Sequence, residues 1–456
     1  MRINDPLLSG KKHIHFIGIG GSGMFPLAQI LHGEGYYLTG SDNNPSDTLE
    51  MVKAMGIPVA MGQCAENIQG ADLIVHTAAI MADNPELIAA KASGVPVVER
   101  SVLLGILTRC FENALCVCGT HGKTTTSCMI TQILLEGGFD PSAVIGGKLP
   151  AIGGNGRVGK SGLMVCEACE FVDTFLKLTP GTAVVLNIDR DHMDYFKTME
   201  NLIASFHKFC GMASSLIVNG EDPNVAKALE GLEKPVTTFG WGEGNDYYPA
   251  NIIQHRSIHT SFDLMRQGNC LGRLEIFVPG RHNVLNATAA AAAALSVGAE
   301  FQQIQTGLAA FHGAGRRFEI LGEVNGITIA DDYAHHPAEI RVTLEAAKSL
   351  DFKRIIAVHQ PFTYSRTKML LDDFAQVLSL ADQVVLSEIM GSREKNTYDI
   401  YSRDLAEKIP NCVWFDTFQK IAEYVCQIAR PGDLVLTLGC GDIYKAAKLI
   451  LASLNS

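Results

Sequence analysis

The strongest chemical signal in the sequence is a glycine-rich turn that contains one lysine and three threonines. It reads GTHGKTTT over residues 119–126 and follows the apolar run 115–118. In such a turn, backbone N–H groups wrap phosphates, the Lys123 ammonium reaches β and γ oxygens, and the Thr124 hydroxyl can bind Mg²⁺. The turn departs from the G-x4-G-K-[ST] pattern because Val117 occupies the first glycine position. It still predicts a phosphate-binding site, since this composition at a strand-to-helix turn is seldom merely structural.

A second glycine turn lies close to the N-terminus. Residues 18–23 read GIGGSG, after the apolar run 13–19 and before the helical pattern 24–32. This G-x-G-x-x-G spacing lets backbone N–H groups and a helix N-terminus approach a diphosphate. Asp42, at the end of the next strand-like run, could accept a hydrogen bond from a ribose or another sugar hydroxyl. Alone, the turn indicates either an NAD-dependent dehydrogenase or a purely structural turn. The two turns together predict two different phosphate ligands and disfavour a simple dehydrogenase.

Polar side chains follow two of the strand-like runs in the middle of the chain. Glu167 directly follows one run, while Asp189 and His192 follow another. They would face the same crevice as Thr124 if the middle sheet is parallel. Mg²⁺ prefers oxygen ligands and is usually held by one or two protein groups plus substrate phosphates. These positions therefore predict a magnesium site, with Glu167 favoured, whereas Asp189 is better interpreted as a solvated loop charge.

Further candidates lie in the last third of the chain. Asn283 and Asn286 are three residues apart at the start of an alanine-rich helix, so they share a face. They could present amides to a purine edge, or they could be an N-cap with surface amides. Arg316 and Arg317 at a junction could close over a triphosphate, and Asp332 after a strand could accept from a ribose hydroxyl. Their clustering favours function over isolated surface charge.

Composition narrows the class of protein. The chain has 456 residues, of which 47% are apolar, so it can build several cores. Its net charge of −11 disfavours binding to nucleic acid or to an anionic membrane surface. The stretch 1–12 lacks an apolar core of signal-peptide length and no run of 18 uncharged apolar residues occurs, which disfavours export and membrane spanning. The twelve cysteines mostly lie in apolar segments, which favours reduced thiols and a cytoplasmic location. The single C-x-x-C, over 166–169, has no second pair and disfavours zinc.

The order of strand and helix patterns predicts an α/β protein of three domains. Strand-like runs alternate with helical patterns, which is typical of parallel sheets with crossover helices. We place the domain boundaries near 108 and 315, giving domains over 1–107, 108–314 and 315–456. The segment 237–278 is rich in Tyr, Gly and Thr and contains alternating apolar residues. This composition predicts antiparallel strands at the edge of the middle domain.

Taken together, the motifs resemble those of the Mur ligases of peptidoglycan synthesis. The motifs that carry this resemblance are HFIGIGGSGM (15–24), GTHGKTTT (119–126), NIDRDHMDYF (187–196), HNVLNA (282–287), RRFE (316–319) and DDYAHHPAEI (331–340). The resemblance implies a Rossmann-like N-terminal domain for a UDP-sugar, a central P-loop ATPase with a mostly parallel sheet, and a Rossmann-like C-terminal domain. It covers nearly the whole chain.

The resemblance also implies the site residues. ATP would be bound by Gly119, Thr120, His121, Gly122, Lys123, Thr124, Thr125, Asn283, Asn286, Arg317 and Asp332. The UDP-sugar would be bound by Gly18, Gly20, Gly21, Ser22, Gly23 and Asp42. Mg²⁺ would be held by Thr124, Glu167 and His192, and the incoming amino acid by Tyr333, His335 and Arg366. The catalytic residues would be Lys123, Glu167, His192, Arg317 and His335, the last to orient or deprotonate the amine.

The implied activity is an ATP-dependent amide ligation. The motifs are most similar to those of the members that join the lactyl carboxylate of UDP-N-acetylmuramic acid to L-alanine through an acyl phosphate. The expected partners are these two substrates, with ATP and Mg²⁺, and the expected assembly is a monomer or homodimer. Domain closure would require a hinge near residue 315.

Two departures weaken the implied amino-acid selectivity more than the ligase chemistry. Residues 167–173 read EACEFVD where relatives often have E-A-D-E-S-D, and residues 360–367 read QPFTYSRT where many have Q-P-H-R-Y-T-R-T. Phe362 and Thr363 thus replace a histidine and an arginine that relatives place near the amino acid. The alternatives are a recycling ligase that joins a whole peptide to the same UDP-sugar, an NAD-dependent dehydrogenase, and a catalytically silent nucleotide-binding regulator.

Overall fold

The computed structural model describes residues 5–255, 258–392 and 394–455, apart from the side chain of Asp194. The chain divides into two compact units. One contains the chain up to Asn251 together with Asp263–Leu274 and Leu285–Ala310, and the other contains Ile252–Phe262, Glu275–Val284 and the chain from Phe311 onward. Three sheets with flanking helices confirm the predicted α/β class. The domain boundaries near 108 and 315 stay predictions.

The first sheet has five parallel strands in the order β3-β2-β1-β4-β5. Its strands are β1 (His13–Ile17), β2 (Tyr37–Asp42), β3 (Val59–Met61), β4 (Leu73–His76) and β5 (Val97–Glu99). Its helices are α1 (Phe25–Gly33), α2 (Asp47–Ala54), α3 (Pro85–Ala92) and α4 (Arg100–Arg109), with a 3₁₀ helix at Ala65–Ile68. The strand order reverses between β1 and β4, so the glycine turn after β1 lies at the point where such sheets bind ligands.

The second sheet has ten strands in the order β15-β14-β13-β12-β11-β10-β6-β9-β7-β8. Its strands are β6 (Asn113–Cys118), β7 (Ser142–Leu149), β8 (Gly154–Arg157), β9 (Leu163–Glu167), β10 (Thr182–Val185), β11 (Ser215–Asn219), β12 (Val236–Phe239), β13 (Tyr247–Gln254), β14 (Thr260–Arg266) and β15 (Asn269–Ile276). Its helices are α5 (Lys123–Glu136), α6 (Met193–Phe196), α7 (Met199–Met212), α8 (Pro223–Leu229), α9 (His282–Ser296) and α10 (Phe301–Ala309), with 3₁₀ helices at Pro150–Ile152 and Phe171–Lys177. Strands β10, β6 and β9 are adjacent and parallel, so their carboxyl ends share one edge.

The segment predicted to be antiparallel does lie at an edge of this sheet. A two-residue turn joins β14 to β15, and both of its residues, Gln267 and Gly268, have positive φ as in a type I′ hairpin. The first pairing of the segment differs from the prediction, because β12 and β13 run parallel. The seven residues between β12 and β13 allow the two strands to run in the same direction. Alternation of apolar residues predicts a strand but not the direction in which it pairs.

The third sheet has six strands in the order β16-β17-β21-β18-β19-β20. Its strands are β16 (Glu319–Val324), β17 (Ile327–Asp332), β18 (Arg354–His359), β19 (Gln383–Leu386), β20 (Cys412–Trp414) and β21 (Asp433–Leu438). Its helices are α11 (Pro337–Lys348), α12 (Tyr364–Met369), α13 (Leu371–Leu378), α14 (Ser402–Ala406), α15 (Phe418–Ile428) and α16 (Tyr444–Asn455). Only the β16–β17 pair is antiparallel.

Both faces of the third sheet are buried by helices. Leu434 and Leu436 of β21 belong to the core on one face, while Val435 between them belongs to the core on the other. Successive side chains of a strand point to opposite faces, so a strand that is buried on both sides must be apolar throughout. This explains the continuous apolar runs in the sequence.

Helix and thiol predictions can be compared with the fold directly. The alanine-rich run lies in α9, and its alanines from Ala287 to Ala294 are buried, as predicted. All twelve cysteines are free, and five of them are buried: Cys116, Cys118, Cys128, Cys166 and Cys210. Among the described residues, every helix is too short or too polar to cross a bilayer.

Candidate active site

The lysine-bearing turn connects β6 to α5. Strand β6 ends at Cys118 and α5 begins at Lys123, so the lysine is the first residue of the helix. Gly122 precedes the helix with φ of 85°, a conformation that residues with a Cβ rarely adopt. No side chain caps this helix end, and its first turn contains no acidic residue. The N–H groups and the dipole of a 14-residue helix therefore favour an anion at the turn.

Lys123 is held across its own turn. Its Nζ donates to the carbonyl oxygens of Gly119 at 2.6 Å and Thr120 at 3.1 Å, and to Glu170 Oε1 at 3.1 Å. The second carboxylate oxygen of Glu170 lies 3.0 Å from the same nitrogen. Glu170 is only 1% exposed, so this is a buried ion pair. The pair keeps the ammonium close to where a phosphate would bind.

The electrostatic surroundings keep Lys123 charged. Burial alone would lower the pKa of Lys123, but the charges of Glu170, Cys169 and Glu167 outweigh it and raise that pKa. The neighbouring Cys169 thiol has its pKa raised to about 11 by burial and by the charge of Glu170. At neutral pH the turn therefore presents a lysine cation beside a neutral thiol.

The segment after β10 braces the lysine-bearing turn. Asn187 accepts a hydrogen bond from the His121 N–H at 2.8 Å and donates one to the His121 carbonyl at 3.1 Å. Thr120 N–H donates to the Asn187 carbonyl at 3.0 Å, and the Thr120 hydroxyl accepts from Asp189 N–H at 2.8 Å. Strand β10 ends at Val185, and the segment that follows it pairs with the lysine-bearing turn through these bonds.

The three predicted magnesium ligands lie after adjacent parallel strands. Thr124 is buried in the first turn of α5, and Glu167 is the last residue of β9. Glu167 accepts one hydrogen bond, from Gly146 N–H at 2.9 Å, which leaves most of its acceptor capacity for a cation. His192 follows β10, with Nε2 3.6 Å from Asp191. The described part of the chain contains no cluster of three His, Cys, Asp or Glu side chains able to hold a metal. The candidate set, one carboxylate, one imidazole and one hydroxyl, is not such a cluster.

His192 is positioned by an unusual backbone. His192 has φ of 53°. Two residues of the facing segment also have positive φ, Val172 at 53° and Asp173 at 57°. The Phe171 ring packs against the His192 ring at 4.7 Å between centroids. Asp173 accepts hydrogen bonds from Tyr195 at 2.7 Å and from Ser205. Left-handed backbone is rare outside glycine and is concentrated at functional sites.

The first glycine turn is braced by Asp42. One carboxylate oxygen accepts from Gly20 N–H at 2.9 Å, and the other accepts from Asn44 N–H at 3.0 Å. Asp42 therefore holds the turn in place, a task that sequence reasoning did not assign to it, while its predicted sugar contact stays a prediction. Ser22 lies on the same turn, and its carbonyl accepts from Asn155 Nδ2 at 2.7 Å.

The two candidate asparagines of α9 have different surroundings. Asn286 lies against the lysine-bearing turn, where a Cβ added to Gly122 would be 2.7 Å from its Oδ1. Asn283 is buried and donates to the Pro279 carbonyl at 2.7 Å. Asn286 is in the first unit and Asn283 in the second. Asn286 is thus the one placed beside the predicted triphosphate turn.

The two candidate arginines of the second unit also differ. Arg316 donates from Nε to Asp331 at 2.8 Å and from its terminal nitrogens to the carbonyls of Gly441 and Gly439. Arg316 therefore stabilises the loop after β21. Both guanidinium carbons lie over the Tyr333 ring, at 5.0 Å from its centre for Arg316 and 5.1 Å for Arg317. Arg316 therefore has a structural role, while the nucleotide contact of Arg317 stays a prediction.

Asp332 is the last residue of β17 and is buried. It accepts from Phe318 N–H at 2.7 Å and from Ala334 N–H at 2.8 Å. Burial raises the pKa of Asp332 to about 6, although Arg317 and these two N–H groups oppose the shift. The carboxyl therefore connects the segment before β16 to the segment after β17. With this pKa, Asp332 is ionised at neutral pH.

The predicted acceptor residues lie close together in the same unit. The Tyr333 and His335 rings are 5.5 Å apart, and the Phe362 ring meets His335 edge-on at 6.4 Å. Arg366 has a buried terminal nitrogen, Nη1, without a hydrogen-bond partner among the described residues. A buried unpaired donor is costly unless a ligand satisfies it.

Models of Mur ligase domains match three consecutive parts of the chain. The catalytic-domain model of the Mur ligase family matches residues 13–112, the middle-domain model residues 117–294, and the glutamate ligase domain model residues 316–441. The chain is 45% identical over 447 residues to the UDP-N-acetylmuramate–L-alanine ligase of Agathobacter rectalis, which covers 96% of this chain and 97% of that protein. The chain belongs to the Mur ligase family. The family predicted from the motifs is confirmed.

Two solved structures share the Mur ligase fold along the whole chain. The UDP-N-acetylmuramate–alanine ligase of Thermotoga maritima superposes with a TM-score of 0.84 at 26% identity, covering 98% of this chain and 99% of that one. A murein peptide ligase of Psychrobacter arcticus gives 0.75 at 25% identity, with the same coverage. The three-domain Mur ligase architecture is thereby confirmed.

Sequence reasoning about this Mur ligase missed two positioning residues in the first unit. Glu170 and Asn187 lie within the segments 167–173 and 187–196 given above, but no role is predicted for either. Each is a polar residue just after a buried strand, and that signal is available in the sequence. What each one contacts, Lys123 and His121 respectively, depends on strand order.

Proposed function

We propose that this Mur ligase joins the lactyl carboxylate of UDP-N-acetylmuramic acid to L-alanine at the expense of ATP, releasing ADP and phosphate in peptidoglycan precursor synthesis. The observation that carries the proposal is the Lys123 turn, with a charged lysine and an uncapped helix N-terminus, in a chain 45% identical to an L-alanine-adding relative. ATP is the triphosphate that the Mur ligase family uses.

The proposed chemistry proceeds in two displacements. The lactyl carboxylate attacks the γ-phosphorus of ATP, the bond to ADP breaks, and an acyl phosphate forms. The amine of L-alanine then attacks the carbonyl carbon and loses a proton, and phosphate leaves. Lys123 and Arg317 would stabilise charge on the transferred group. His335 is our candidate to orient or deprotonate the amine, because an imidazole suits proton transfer near neutral pH.

We propose Mg²⁺ as the metal, held by Thr124, Glu167 and His192. Glu167 fits this role because it accepts one N–H and has further lone pairs available. When bound, the ion would neutralise phosphate charge. We further propose a cytoplasmic location, in keeping with twelve free thiols. The expected absence of nucleic-acid binding and the monomer or homodimer state stay predictions.

ADP release with a panel of acceptors tests the function. We expect release that requires both UDP-N-acetylmuramate and L-alanine, with little release when the peptide substrate of a recycling ligase replaces L-alanine. Preference for the peptide would favour the recycling ligase instead, whose structural relative gives the lower TM-score of the two compared. ATP binding without any sugar-dependent ADP release would indicate a silent regulator. Phosphate released from ¹⁸O-carboxylate substrate should carry one labelled oxygen, and unlabelled phosphate would refute the acyl phosphate.

A further inference from the structure

A cavity of about 160 Å³ lies within the first unit, between elements of its two sheets. One side is formed by the first glycine turn and the start of α4, with Gly23 and Arg100. The other side includes Gly146 and Glu167. The cavity therefore runs from the turn predicted to hold a nucleotide sugar to the carboxylate predicted to hold the metal.

Arg100 is a cation without a protein partner in this cavity. It is the first residue of α4 and is half-buried, and it forms no hydrogen bond or ion pair with any described residue. By contrast, six other arginines each lie within 4.0 Å of an aspartate: Arg109, Arg157, Arg273, Arg316, Arg354 and Arg403. A partly desolvated charge without a counter-ion is unfavourable, so the site is prepared for an anion.

Arg100 lies directly against the glycine turn. A Cβ added to Gly23 would be 3.1 Å from Arg100 Cδ and 3.2 Å from both Nε and Nη1. The turn opens α1, a nine-residue helix with no acidic residue in its first turn and no capping side chain. The guanidinium and the helix N-terminus thus both place positive charge at this turn.

We propose that Arg100 binds the diphosphate of the nucleotide sugar, opposite the glycine turn. This inference rests on the proposed function and adds a residue that neither the motifs nor the comparisons assign. The guanidinium fork matches the paired oxygens of a diphosphate. The lactyl carboxylate is the other anion of this substrate, but it must reach the Glu167 side of the cavity to meet the γ-phosphate, away from Gly23.

Calorimetric titration with three probes tests the assignment: UDP, UDP-N-acetylglucosamine, which lacks the lactyl carboxylate, and UDP-N-acetylmuramic acid. We expect Arg100→Gln to weaken binding of all three by a similar factor, about 10- to 100-fold, as for loss of a charge-assisted pair. Arg100→Lys should lose less, because it keeps the charge without the fork. Arg109→Gln, on the same helix and paired with Asp5, should change no affinity by more than about twofold.

The contrary outcomes are distinct. Unchanged UDP affinity in Arg100→Gln would overturn the assignment, as would a loss confined to UDP-N-acetylmuramic acid, which would place the lactyl carboxylate at Arg100. Affinity for a non-hydrolysable ATP analogue should be unchanged in Arg100→Gln, and a parallel loss of it would mean a general structural defect rather than lost contact with the diphosphate. If Arg100→Gln does not fold, Arg100→Lys decides, and equal UDP affinity in that variant would refute the contact. Wild-type protein that bound none of the three probes would contradict the proposed function itself.

Discussion

At the scale of single residues, the site combines charges that depend on one another. Lys123 and Glu170 form a buried ion pair in which Glu170 is 1% exposed. Removing one member of such a pair leaves the other charge uncompensated, which typically costs about 3–5 kcal/mol. Substitution of Lys123 alone would therefore change both the stability of the protein and its catalytic rate.

We expect Lys123→Ala to lower kcat for ADP release by ~10² or more, through lost stabilisation of the transferred phosphoryl group. The double variant Lys123→Ala with Glu170→Gln should regain thermal stability without regaining kcat, because it removes the unpaired carboxylate but not the need for a cation. Lys227→Ala, an exposed lysine on α8, is the matched control. A near-wild-type rate in Lys123→Ala would remove this lysine from the mechanism.

At the scale of secondary-structure elements, the parallel arrangement of β10, β6 and β9 assembles the central site. The lysine-bearing turn, the Glu167 carboxylate and the Asn187 segment all follow carboxyl ends of these neighbouring strands. Asn187 joins two of the connections through its paired hydrogen bonds to His121. The shape of the lysine-bearing turn thus depends on a residue 66 positions away.

We expect Asn187→Ala to raise the KM for ATP by up to about 30-fold, since two hydrogen bonds of about 1 kcal/mol each no longer hold the turn. The KM for L-alanine should change much less. Asn455→Ala provides the comparison, because it removes an exposed side-chain bond to the Leu451 carbonyl at the end of α16. Equal effects of the two variants on the KM for ATP would show that Asn187 does not hold the lysine-bearing turn in place.

At the scale of the whole molecule, stability depends on buried titratable groups as well as on the cores. Burial raises the pKa of Asp332 to about 6, from an ordinary value of 3.8. Burial also lowers the pKa of His359 to about 4, although a hydrogen bond with the Leu438 carbonyl opposes the shift. Both groups lie in the second unit, and ionising either one in the folded state is unfavourable.

The sign of the Asp332 effect follows from linkage. The protonated carboxyl stabilises the folded state fully below about pH 3.8, and that stabilisation is lost as the pH rises through about 6. The difference between these values corresponds to about 3 kcal/mol. We expect the free energy of unfolding of the wild type, relative to Asp332→Asn, to fall by about this amount across that window. Urea denaturation of both proteins without nucleotide measures it, and a constant difference would show that Asp332 is not desolvated.

The sequence alone determined the family, the α/β class and both glycine turns, and it placed the candidate site residues on local motifs. These features depend on residues close together in the chain, where spacing and strand or helix periodicity constrain geometry directly. The tertiary structure decided which partners these residues have: Glu170 for Lys123, Asp42 for the first glycine turn, the carbonyls of the loop after β21 for Arg316, and no described partner for Arg100. Those pairings depend on strand order and on the approach of distant segments, which local patterns do not encode.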